Sequence, residues 1–122
     1  MSKRDLTIYL KDILTNMCKA EQFIKELSYE DFVKDEKTHY AVIRCIEIIG
    51  EAAKHIPEAI RKKYPRIPWK DMAGMRDKVT HFYFGVNLEK VWLALKKDIF
   101  ELKPLIKKVL KKIEKESLGD LK

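Results

Sequence analysis

Apolar residues near the start of the chain return at spacings of three, four and seven: Leu6, Leu10, Ile13, Leu14, Met17, Ile24 and Leu27. That period puts them on one face of a helix over residues 4–27. Ser28, with Asp31 three positions on, has the form of an N-cap with an acidic capping-box partner, and predicts a short helix or turn through Phe32 and Val33. The next helix, over residues 36–56, is apolar around much of its circumference (Tyr40, Ala41, Val42, Ile43, Cys45, Ile46, Ile48, Ile49, Ala52, Ala53, Ile56). A helix of that kind is central and touches neighbours on several sides. One polar stripe interrupts it, because Arg44, Glu47, Glu51 and His55 share a face at spacings of three and four. The stripe is either an internal ion-pair network or the wall of a cleft; Arg44 and Glu47 are read as the former.

Pro57 ends that helix, and residues 58–64 form one or two further turns. Pro65 and Pro68 enforce an extended connection. Pro68 suits the first position of another helix, with Trp69 anchoring its start in the core. Gly74 either weakens this helix or admits another backbone beside it. Gly85 ends it, and Asn87 caps the last one. There Leu88, Trp92, Leu95, Ile99, Leu102, Ile106, Val109 and Ile113 alternate spacings of four and three, a heptad-type packing seam. Pro104 should kink it, and the polar tail from Glu114 should fray. The pattern predicts one domain over residues 1–122, an all-α antiparallel bundle of four to five helices.

Composition agrees with few long helices: only four Gly and four Pro occur among 122 residues, with 46% apolar and 37% charged. Charge adds something the pattern does not. The net charge of +7 favours polyanions such as RNA, or an acidic partner, over a neutral surface. Residues 54–70 concentrate it, with Lys54, Arg61, Lys62, Lys63, Arg66 and Lys70 against the single acid Glu58. Arg61, Lys62, Lys63 and, further on, Lys78 are the candidate contacts to an RNA backbone. The N-terminus leads into an amphipathic helix rather than a signal peptide. No apolar run approaches the ~18 residues of a membrane span. Cys18 and Cys45 read as buried thiols in a reducing, cytoplasmic setting. His39, His55 and His81 are scattered without the spacing of a zinc helix, and neither a metal nor a cofactor is expected.

The candidate chemistry lies in the stretch from Met75 to Tyr83, which reads R-x-x-x-x-H-x-Y. Arg76 offers a planar fork of donors for a phosphate. His81 titrates near neutral pH and can move a proton. Tyr83 offers a hydroxyl. By spacing alone, the same residues also fit a surface Arg above a packed His and two aromatics. On an ideal helix Arg76 and Tyr83 share a face, whereas His81 is turned by about 140° from Arg76. The long Arg side chain can curl round, the helix can distort near Thr80, or a second subunit can complete the site.

The run from Ile49 to Lys54, the Pro68–Trp69 pair, the lead-in from Ala73 to Asp77, and His81-x-Tyr83 followed by Gly85 and Val86 occur in this order. Together they resemble the HEPN superfamily, and within it the HepT-type toxins. The resemblance implies a HEPN-like helical fold that dimerises, with two R-x-x-x-x-H motifs meeting in one cleft. It implies a metal-independent endoribonuclease in which His81 acts as base or acid and Arg76 stabilises the charged phosphorane. Asp77 and Glu51 support that site, Asp77 standing where the family often has Asn. It also implies a toxin of a type VII-like toxin–antitoxin pair, silenced when a nucleotidyltransferase antitoxin transfers AMP to Tyr83. The alternative is a non-catalytic HEPN partner that binds a nucleotide and assists the nucleotidyltransferase. A basic helical interaction module without a site is the third reading.

Overall fold

A computed structural model describes the backbone over residues 1–85 and 87–120, and the side chains over residues 1–77 and 87–116. Every regular element among the described residues is helical: α1 (Lys3–Ile24), α2 (Tyr29–Lys34), α3 (Glu36–Lys54), α4 (Glu58–Lys63), α5 (Trp69–Gly85), α6 (Leu88–Leu93) and α7 (Ile99–Asp120). A π-helical segment, Ala94–Asp98, joins α6 to α7. Four long helices, with α6 prolonging α7, thus form an all-α bundle. The chain's caps are local chemistry. Ser2 accepts from the Asp5 amide. Ser28 and Asp31 form a reciprocal capping box, and Asn87 accepts from the Lys90 amide. Each satisfies donors that a helix start leaves unpaired. At the start of α3, Asp35 accepts from the Thr38 amide, and the hydrogen bonds from Thr38 hold its carboxyl below the usual value.

Helix α3 is the centre of the fold, packed against α1 on one side and α5 on the other, while α7 lies against α1. Leu10, Ile13 and Met17 of α1 meet Val42, Ile46 and Ile49 of α3 in the core, all at 0–1% exposure. Along α7, Ile99, Leu102, Ile106, Val109 and Ile113 are buried, following the heptad seam. Upstream of the π segment the seam breaks down: Val91 is buried, and Trp92 is only partly covered. A π turn inserts one residue into the helical repeat and rotates the face that follows. Trp92 packs instead on Phe32, ring centroids 5.1 Å apart, and closes α2 onto the end of the bundle. Phe32 is fully buried in a six-residue helix. Phe32→Ala should cost about 3–5 kcal/mol, read as a lowered urea midpoint at unchanged slope.

The structure departs from expectation at Cys18 and Pro68, and it decides between the two readings of Gly74. Cys45 is buried, and that burial pushes its thiol up, but Cys18 is exposed. It sits one position past Met17, outside the apolar seam of α1. Gly74 admits no second backbone: among the described residues nothing outside its own stretch of helix lies within 4 Å of where a Cβ would stand. Close approach occurs at Gly50 instead. Pro68 precedes the first residue of α5 rather than occupying it, its carbonyl accepting from the Met72 amide at 3.0 Å. No described helix is long and apolar enough to cross a membrane.

Candidate active site

The site begins with a glycine. A Cβ on Gly50 would stand 3.2 Å from both the Cβ and the backbone nitrogen of Arg76, and 3.3 Å from the Met72 carbonyl oxygen. A glycine inside a helix costs roughly 0.5–1 kcal/mol relative to alanine. Here that cost is offset by close packing of α3 against α5, which brings Arg76 over the polar stripe of α3. Arg76 Nη1 donates to Glu51 Oε2 at 2.7 Å. The other carboxylate oxygen, Oε1, lies 3.8 Å from His55 Nε2. His55 stacks on Tyr9 of α1, ring centroids 4.7 Å apart and planes within 6° of parallel.

These groups wall an open cleft of about 370 Å³, lined also by Asp12, Arg44 and Glu47. All four members of the α3 stripe therefore face the cleft. Arg44 and Glu47, expected in an internal ion-pair network, belong to the wall: α1 and α5 flank α3 without closing over this side. The Glu51 and Arg76 side chains are 51% and 48% exposed. An ion pair that wet contributes at most about 1 kcal/mol to stability. Its effect is positional, since it fixes where the guanidinium points. A larger cavity of about 600 Å³ opens between the start of α5 and the α6–α7 segment, lined by Met72, Met75, Val91 and Leu102 among others. Among the described residues its lining includes neither Arg76 nor a histidine, so chemistry rather than size selects the smaller cleft.

The remaining candidates are placed as follows. Asp77 is exposed one position beyond Arg76. The side chains of Lys78, His81 and Tyr83 lie outside the described residues, although α5 carries their backbone through to Gly85. Arg61 is engaged structurally: Nε donates to the Ile56 carbonyl at 3.0 Å and Nη2 to the Ala53 carbonyl at 2.9 Å. It caps the C-terminus of α3, where a cation is favoured. Lys62 is exposed, and Lys63 pairs with Glu116 of α7 at 3.4 Å. Sequence reasoning missed Tyr9, Asp12 and Gly50. Only Gly50 carried a signal, as a costly residue in the middle of an otherwise strong helix.

The family model described as "HepT-like: Ribonuclease HepT-like" matches residues 13–109. "Putative RNase MJ0125" of Methanocaldococcus jannaschii is 49% identical, over 93% of this chain and 98% of its own length. "Probable ribonuclease HepT" of Thermococcus cleftensis is 47% identical, over 89% of this chain and 99% of its own. No solved structure matches. The chain belongs to the Ribonuclease HepT-like family, the HepT branch of the HEPN proteins.

Proposed function

We propose that this protein is a metal-independent endoribonuclease acting as a homodimer. The observation that carries the reading is Arg76, held by Glu51 on an open cleft and set five positions before His81 on one helix. A ribose 2′-hydroxyl gives its proton to the His81 imidazole of one protomer and attacks the adjacent phosphorus. The bond from phosphorus to the 5′-oxygen breaks, and that oxygen takes a proton from the imidazolium of the other protomer. The products carry a 2′,3′-cyclic phosphate and a 5′-hydroxyl. Arg76 stabilises the charge that builds on the phosphorane oxygens. The two protomers divide the acid and base tasks, which answers the rotation of His81 away from Arg76 along one helix. Asp77 borders the motif, and Lys62, Lys63 and Lys78 hold the RNA backbone without reading sequence.

In the same reading, the protein is the toxin of a type VII-like toxin–antitoxin pair in the cytoplasm. A nucleotidyltransferase of the MNT type transfers AMP to Tyr83, one helical repeat beyond Arg76, and the added phosphate occupies the place of the substrate's. The test is cleavage of bulk RNA by the purified protein in excess chelator, with an oligonucleotide carrying one 2′-deoxyribose at the cut site as control. Cleavage that survives chelation and stops at the 2′-deoxy position is expected. Cleavage that requires added metal, or that ignores the missing hydroxyl, overturns the mechanism. Nucleotide binding without any cleavage supports the non-catalytic partner instead.

A further inference from the structure

We propose that the cleft bounded by Tyr9, His55 and Arg44 is a nucleobase subsite that prefers guanine, placed beside the phosphate held by Arg76. The inference rests on the ribonuclease reading and adds to it which nucleotide is seated next to the bond that breaks.

Three observations converge. The first is the ring pair. Tyr9 is partly buried against the core and backs onto His55, whose side chain is 48% exposed and lines the cleft. The two rings lie nearly parallel and come from different helices, so the platform is held from both sides. With one face of each ring covered by the other, the imidazole surface that remains open is what the cleft offers to an incoming planar group. Stacking on such a surface is how proteins hold unpaired RNA bases.

The second is separation. One carboxylate, Glu51, reaches Arg76 with one oxygen and approaches His55 with the other. The cation and the ring platform are therefore no further apart than one carboxylate can span, much as a ribose spans its phosphate and its base. A cleft of about 370 Å³ falls at the small end of ligand sites, which run from about 300 to 1,000 Å³.

The third is the sign of the charges. The chain is strongly basic, yet this wall carries Asp12, Glu47 and Glu51 beside Arg44 and Arg76. Glu51 serves Arg76; the place of Asp12 and Glu47 in a nucleotide site is the base edge, where a carboxylate accepts from N–H donors. Guanine alone presents two adjacent donors, N1–H and the N2 amine, to match the two oxygens of a carboxylate. Its O6 and N7 accept from an arginine fork, which Arg44 supplies. Uracil has a single N–H flanked by carbonyl oxygens, which face repulsion from the same carboxylates.

The experiment titrates guanosine 3′-monophosphate and uridine 3′-monophosphate into the full-length protein. The Tyr9 and His55 ring signals are followed by NMR, and affinity by calorimetry. An upfield shift of the His55 ring is expected with the guanine nucleotide, which should bind roughly tenfold more tightly than the uracil one. His55→Leu removes the open π face and should weaken guanosine monophosphate binding roughly fivefold or more, while Tyr9→Phe, which keeps the ring behind it, keeps wild-type binding. Glu47→Gln with Asp12→Asn should erase the guanine preference. A His55 ring signal unmoved by either nucleotide, or equal affinity of His55→Leu and wild type, overturns the subsite. Cleavage of RNA by a protein whose rings do not respond leaves the ribonuclease standing and removes the subsite. Guanine-selective binding without cleavage does the reverse.

Discussion

Arg76→Ala lowers the rate of RNA cleavage by about 10²–10³-fold, the usual loss when one donor to a developing oxyanion is removed. The protein stays folded. Arg76 is half exposed, and the wet pair it forms with Glu51 contributes at most about 1 kcal/mol. Melting curves should therefore nearly superpose while activity collapses. Arg76→Lys fails almost as badly, because an ammonium lacks the rigid planar fork that presents separate donors to a carboxylate and a phosphate oxygen. Glu51→Gln keeps an acceptor for the guanidinium and loses only the charge, so its loss is smaller than that of Glu51→Ala. His81→Ala costs a comparable 10²–10⁴-fold through loss of proton transfer. Single-turnover cleavage and thermal melts on the same samples check the set. An Arg76→Ala protein that cleaves at the wild-type rate removes Arg76 from the chemistry, and one that melts far earlier makes its role structural.

The second large effect is expected at Gly50, which touches no substrate. Gly50→Val drives branched carbons into the backbone of Arg76 and the Met72 carbonyl, where even a Cβ stands at 3.2–3.3 Å. Overpacking of this kind costs about 1–3 kcal/mol. The strain is relieved by moving α5, and a displacement near 1 Å at a catalytic group costs roughly 100-fold in rate. Gly50→Ala separates the two consequences. Its gain of up to about 1 kcal/mol in helix propensity offsets a contact that must give by only a few tenths of an ångström. Stability then stays close to wild type while cleavage still falls. Urea midpoints set beside cleavage rates for both variants make the test. Wild-type activity in Gly50→Ala would mean that α5 yields without moving Arg76.

Much of this molecule was legible in one dimension. The capping box at Ser28 and Asp31 and the Asn87 cap are written in the residues that form them, because cap hydrogen bonds span three or four positions. The core faces of α1 and α7 were readable from the 3.6-residue period. Legibility failed where a contact joins distant positions. Trp92 sat on the heptad seam by spacing, yet the π turn at Ala94–Asp98 gave the buried place to Val91. Arg61 stood in a basic stretch as an RNA contact, yet its guanidinium lies on the carbonyls that end α3. Cys18 was assigned to the core on residue type, one helical step away from the seam that is buried.

The sequence by itself determined the helical class, the helix boundaries to within a few residues, the membership signalled by its ordered motifs, and the placement of positions 76 and 81 on one helix. Periodicity and capping depend on neighbours along the chain, and those neighbours are given. Only the tertiary structure decided that the α3 stripe is a cleft wall, that Gly50 seats α5, and that Tyr9 meets His55. Those facts follow from how three helices are rotated and spaced about one another. That arrangement is set by the shape of the whole core, which no local spacing encodes.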